Sequence, residues 1–443
     1  MSVSSAPAGV QTSSVGGPHR PIGAGLVASL RGLGRDGRLL FVTRVLRMFG
    51  YGFLAVVLVL YLAALGIDAL TIGAILSLVL VGDAIISLWL TTRADRIGRR
   101  LVLIAGSLMM AGAGFSFAAT DSVPILIIVG TIGVISPTGN EVGPFLAVEQ
   151  AALSQATPDV RRTPTFAWYN LAGYVATAVG ALSAGLLTQA LLAVGVLALD
   201  AYRSIVVGYG VVGLVMAIVF WRVSPAVEAP VTAPADDGIA RRLGLGPRSR
   251  GIVARLSLLF SLDAFAGGFI PQSLMAYWFH LRYGVEPAIL GGIFFGANLL
   301  AAVSSLSASR LAARFGLVNT MVFSHLPSNV LLILVPLMPN LPLAIAVLLL
   351  RFSLSQMDVP ARQSYVMAVV EPGERSAAAG VTGIARTTGA SISPILSAPL
   401  VASASLAVLP FVLAGGLKIA YDLLLYRAFR SGRAPDERHV PGP

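Results

Sequence analysis

The sequence predicts an all-α membrane protein: twelve transmembrane helices in two pseudo-symmetric six-helix bundles. Composition is the first reason. Of 443 residues, 56% are hydrophobic and 12% charged, about half the charged share of a soluble domain. Apolar runs of about 20 residues or more recur along the whole length, each enough to cross a bilayer core of roughly 30 Å. These runs are apolar all round and lack the alternation of barrel strands, so helices are the way to satisfy their backbone in lipid.

Residues 1–38 are Ser-, Gly- and Pro-rich without an early apolar core, and read as a disordered cytoplasmic tail rather than a signal peptide. Spans are expected at 39–65, 71–92, 101–120, 124–148, 164–188 and 204–222, making a first bundle over 39–222. Residues 223–252, rich in Pro, Ala and charge, read as a cytoplasmic linker. Six further spans, at 253–279, 288–309, 317–339, 342–366, 377–402 and 405–427, make a second bundle over 253–427, and 428–443 form a cytoplasmic tail.

Arginine sets the orientation. The 93–100 loop RADRIGRR, Arg161 and Arg162, the linker, Arg310, Arg314, Arg375 and both tails fall at one end of the rods, which is cytoplasmic by the positive-inside rule. The opposite loops hold Asp68, Asp121, Asp200, Arg203, Arg282 and Glu286. The net charge of +11 therefore reports membrane orientation, not nucleic-acid binding. A shift of 218 positions places Gly66 on Gly284, Gly73 on Gly291, Ala94 on Ala312, Arg96 on Arg314 and Gly98 on Gly316 without a gap. Two six-helix repeats joined by a linker imply a pseudo-two-fold pair with a path between them.

Asp95-Arg96-Ile97-Gly98-Arg99-Arg100, between the second and third of twelve spans, resembles the loop motif of the major facilitator superfamily. The resemblance extends to span number, linker, repeat and orientation. It implies an alternating-access secondary transporter for a small organic solute, coupled to protons, with export as the expected direction. It also implies a cytoplasmic latch at Asp95, Arg96, Gly98 and Arg99, where the aspartate meets the N-terminal end of the eleventh helix near Ser376 and Ala377. Two departures stand out: Thr91 where the family has glycine, and Ala313 where the second repeat has aspartate. Helices 1, 4, 7 and 10 line the central cavity in this family.

Ionisable groups inside spans cost about 2.5–3.5 kcal/mol each on insertion scales, so they line a cavity or pair. Candidate cavity residues are Arg47, Tyr51, Asn140, Gln272, Tyr277, Arg351, Ser355 and Arg386; candidate proton carriers are Asp263, Glu141 and Asp358. Each has a structural alternative. Asp263 pairs with Arg386 instead of carrying a proton, and Asp358 with Arg362 at i,i+4 steadies a helix bent at Pro360. Arg44 is expected to snorkel to the interface, Asp83 to bond a neighbouring helix, and His325 to serve packing. Lys418 and Asp422 are expected as an i,i+4 pair on the lipid side of the last span. Trp168, Tyr169 and Asn170 belong to either the cavity or the interface.

No cysteine is present, which excludes disulfides and thiolate chemistry. No phosphate loop, zinc-helix motif or nucleophile with a neighbouring histidine occurs, so neither an enzyme nor a cofactor or metal is expected. The expected partners are a small solute, protons and the bilayer, with the chain a monomer in a bacterial-type cell membrane. Two readings of the solute stay open. The deep arginines suit an organic or phosphate-like anion, while apolar walls and acids suit an exported neutral or cationic amphiphile. A transport-inactive scaffold or sensor is the alternative of another class. Asp95→Asn should slow solute turnover in proteoliposomes while leaving membrane insertion intact, and unchanged turnover would remove the latch role.

Overall fold

A computed structural model describes residues 33–155, 157, 159–228, 246–371 and 374–429. The tails up to residue 32 and from 430, most of the linker, and the side chains of Asp95, Arg161, Arg162 and Ser376 lie outside the described residues. In the N-terminal half, α1 (Arg35–Ala64), α2 (Ala69–Ile97) and α3 (Arg99–Ala119) are continuous. The fourth position is split into α4 (Val123–Ile132) and α5 (Phe145–Gln155), and α6 (Asp159–Ala193) and α7 (Ala198–Trp221) complete the half. In the second half, α8 (Pro247–Gly268) and α9 (Gln272–Tyr283) share the seventh position. Next come α10 (Pro287–Phe315) and α11 (Leu317–Leu334), then α12 (Leu341–Leu354) and α13 (Asp358–Val369) sharing the tenth position. The chain closes with α14 (Arg375–Ala402) and α15 (Leu409–Phe429).

Among the described residues, ten rods are long and apolar enough to cross a membrane, α8–α9 and α12–α13 each counting as one. The split α4–α5 and the more polar α14 fill the other two of twelve positions. Large apolar side chains such as Ile85, Trp221 and Leu258 stand on the outside, as suits a protein whose solvent is lipid.

Local chemistry explains the joints. Asp68 caps α2 by accepting from the Thr71 amide at 3.0 Å. Gly98 turns α2 into α3 at φ +107°, and Gly316 turns α10 into α11 at φ +84°, conformations that favour glycine. These are the glycines that the repeat aligns. Pro271 stands just ahead of α9, where a helix cannot continue through it. Pro360 does not bend its helix. It occupies the first turn of α13, where a missing N–H goes unnoticed, and the break falls earlier, at 355–357.

The halves meet where α6 packs along α10 and α2 along α14. Small residues allow the approach: a Cβ on Gly291 would lie 2.8 Å from the Ala181 carbonyl oxygen, and one on Gly73 2.6 Å from that of Pro394. Among the described residues, hydrogen bonds cross between the halves from the Ile395 amide to Ser77 Oγ at 3.0 Å and from the Ser273 amide to the Pro137 oxygen at 3.1 Å. These contacts sit toward the end of the rods opposite the arginine-rich loops. A Ser273→Cys reporter, buried here and the sole thiol of the chain, should resist a membrane-impermeant maleimide. Adding Gly291→Leu should wedge the halves apart and expose it; equal protection in both proteins would contradict this closure.

Candidate functional site

The first charge cluster grows from α1, which carries Thr43, Arg44, Arg47 and Tyr51, all buried, within about two turns. The fourth position answers with Glu149 on α5 and Glu141 in the irregular stretch before it. Arg47 grips Glu149 with both prongs, Nη1 to Oε1 at 2.8 Å and Nη2 to Oε2 at 2.7 Å, and its Nε donates to Glu141 at 2.7 Å. Thr43 Oγ1 donates to Glu149 at 2.8 Å, and the Tyr169 hydroxyl donates to the other oxygen. Arg44 does not snorkel. It is buried, pairs with Glu141 and lies 4.8 Å from the Tyr169 ring centre, because the break in span four leaves Glu141 within its reach.

The second cluster has Asp263 of α8 at its centre. Lys418 Nζ of α15 donates to Oδ1 at 2.5 Å, while Arg386 of α14 and Arg362 of α13 donate to Oδ2 at 3.1 and 3.3 Å. Arg362 also reaches Asp358 at 2.9 Å. Asp422 accepts from Asn329 at 2.9 Å and sits 2.9 Å from His325 Nδ1, whose Nε2 is 4.0 Å from Asp263. The expected lipid-side pair of Lys418 and Asp422 is therefore overturned. Both are buried, turned inward and bound to partners on other helices, since a carboxylate at Asp263 offers Lys418 more than the lipid interface does.

Tyr174 of α6 lies beside Ser305 of α10, where the two halves pack. Of the candidate carriers, Asp263, Glu141 and Asp358 are all ion-paired. Among the candidate cavity residues, Arg47 is fully enclosed and the Arg386 side chain is 32% exposed. Arg351, over the Phe352 ring at 4.9 Å, has no carboxylate at ion-pair distance among the described residues, and its buried Nε has no acceptor. Ser355 accepts from Gln356 at 3.5 Å; Gln272 accepts from Asn298 at 3.3 Å and lies where a Cβ on Gly139 would come within 3.1 Å of it; Tyr277 is half-buried and Asn140 exposed. The Tyr51 hydroxyl donates to the Val142 carbonyl at 2.9 Å, and Asp83 accepts from the Gly143 amide at 2.5 Å and from Ser87 at 3.1 Å.

At the arginine-rich end, the Arg99 and Arg100 amides donate to Glu228 at 2.6 and 3.2 Å, and the Arg99 side chain reaches Gln155 at 2.8 Å. Glu228 thus caps α3 at its positive end. Glu374 does the same for α8: the Ser249 hydroxyl and the Gly246 amide hold its carboxyl below the usual range.

The Major Facilitator Superfamily model matches residues 40–394. The chain belongs to this superfamily. It is therefore an integral membrane protein and a transporter, not an enzyme. The chain is 30% identical over 418 residues to the uncharacterized membrane protein YJR124C of Saccharomyces cerevisiae, covering 88% of this chain and 93% of that one. Its fold matches the nucleoside transporter NupG at a TM-score of 0.67 and 14% identity, over 90% of this chain and 100% of that one. It also matches an inward-facing, unoccupied bacterial homolog of the human lysosomal transporter Spinster at 0.69 and 16%, over 90% and 98%. The human organic anion transporter MFSD10 aligns at 0.57 and 18%, over 88% and 99%.

Glu149, Lys418 and Asp422 were not expected to join a site. Removing one partner of a buried pair costs about 3–5 kcal/mol, far more than at an exposed pair. Glu149→Gln should therefore lower the unfolding temperature in detergent more than Glu141→Gln, whose parent side chain is 16% exposed. A reversed order would mean that the Arg47 grip does not anchor α1 to α5.

Proposed function

We propose that this chain is a proton-coupled, alternating-access carrier for uptake or exchange of an organic or phosphate-like anion. The halves 39–222 and 253–427 would rock about the charged centre, with both termini on the cytoplasmic side. The observation that carries the anion is Arg351. In the second half, the buried carboxylates Asp263, Asp358 and Asp422 are matched by Arg362, Arg386 and Lys418, and Arg351 is left over. A cation without an ion partner in a low-dielectric centre favours a solute that brings negative charge. Export of an amphiphilic cation would call for the reverse, a spare buried carboxylate in this half, and the three described there are all partnered. A scaffold without transport has no use for the leftover charge.

A thermal-shift screen of purified protein against phosphate, citrate, gluconate, glucose, glycine and ethidium tests this at two pH values. Anions should stabilise the parent, Arg351→Gln should lose that response, and Arg351→Lys should keep part of it. Stabilisation by ethidium but by no anion, unchanged in Arg351→Gln, would overturn the reading.

A further inference from the structure

The peripheral helices α11 and α15 hold a titratable group that central-cavity transport does not by itself require. His325 Nδ1 sits 2.9 Å from Asp422 and 3.2 Å from the Asn329 amide nitrogen, while Nε2 points at Asp263 from 4.0 Å. One ring nitrogen thus has both a carboxylate to receive its proton and an amide to donate to it when bare, so either charge state finds partners. Imidazole is also the side chain whose ordinary protonation range falls between pH 5 and 8.

The surroundings decide what that proton would do. α8 presents Asp263; α13 presents Asp358 and Arg362; α14 presents Arg386; α15 presents Lys418, Tyr421 and Asp422. From α12 comes the Arg351 carbonyl, on Ser328, and the α10 cations Arg310 and Arg314 are exposed. With His325 neutral, Asp263, Asp358 and Asp422 are balanced by Arg362, Arg386 and Lys418, Arg351 aside. Proton uptake therefore adds an uncompensated buried charge unless a cation leaves. Arg386 is the member able to leave. It is 32% exposed, whereas Asp263 is 4% exposed and the other cations are nearly enclosed.

We infer that His325 is the coupling proton site: its imidazolium takes over from Arg386 as counter-charge to Asp263 when Arg386 turns to a bound anion. This rests on the anion reading above. The proton comes from cavity water, binds a ring nitrogen and is released when the anion leaves, so proton and anion travel together. An inward proton gradient then drives uptake.

Histidine-selective NMR on the full chain in nanodiscs tests the exchange with no solute present. The chain has four histidines, so the signal lost in His325→Gln identifies the ring. At one pH near neutrality, Arg386→Gln should raise the ratio of protonated to neutral His325 about tenfold, as expected for losing one close cation. Arg386→Lys should restore the parent ratio, and Asp422→Asn should lower it. If Arg386→Gln does not fold, Lys418→Gln removes another close cation of Asp263 and should shift the ratio the same way. A ring that stays neutral throughout, or a ratio indifferent to every cation substitution, overturns the proposal. Because no anion is added, failure here leaves the Arg351 screen standing, and failure of that screen leaves this titration interpretable.

Discussion

A charge in a bilayer has to find its partner inside the protein, and the layout of this chain follows from that. Arg47 and Glu149 tie α1 to α5, while Asp263 ties α8 to α13, α14 and α15. Each knot stays within its own half, and each is expensive to open where the freed groups are enclosed. Between the halves the described contacts are of another kind: backbone against glycine, and neutral hydrogen bonds. Bonds of that type are worth about 0.5–1.5 kcal/mol net. Stiff halves with a lightly bonded seam are what rocking requires, and the distribution of charge produces both properties together.

Breaking helices would seem wasteful in such a setting, yet the fourth, seventh and tenth positions are all interrupted. The freed backbone is used. Val142 accepts from Tyr51, Gly143 donates to Asp83, Pro137 accepts from Ser273 and Phe269 accepts from Ser397. Irregular backbone is tolerated at membrane depth where it is buried in protein or lines a cavity, and these four groups find partners inside the protein. The first position stays whole because the repeat has diverged: Phe53 occupies the place that Pro271 holds in the second half. One proline is enough to make that difference.

Much of this was legible in the sequence, and the reason is local. Span number follows from run length, the Gly98 and Gly316 turns from a backbone that favours glycine there, and the Asp358–Arg362 pair from helical spacing. The site was less legible because its partners are far apart along the chain. Glu149 was missed because span four, taken as continuous, ends at 148 and places the residue in the headgroup zone. The break at Gly133–Pro144 consumes length and draws α5 inward. Lys418 and Asp422 look like a pair because the i,i+4 rule sees one helix at a time. In space, Asp263 and His325 compete for them and win.

The two ends of the Arg386–Asp263 bond differ in a way that bears on function. Asp263 is sealed in by α8, α13 and α15, so its electrostatic needs are fixed, whereas Arg386 is partly exposed. An ion pair with one sealed and one open end is asymmetric: a ligand can draw off the open partner but cannot approach the sealed one. In the proposed cycle a solute would compete with Asp263 for that guanidinium, which a negatively charged acceptor of hydrogen bonds does well. The carboxylate left behind is held by Lys418 and Arg362 alone, and its demand for positive charge rises by one unit. In the proposed cycle, solute charge and proton occupancy would be linked through that single bond, without any contact between the solute and the group that takes up the proton.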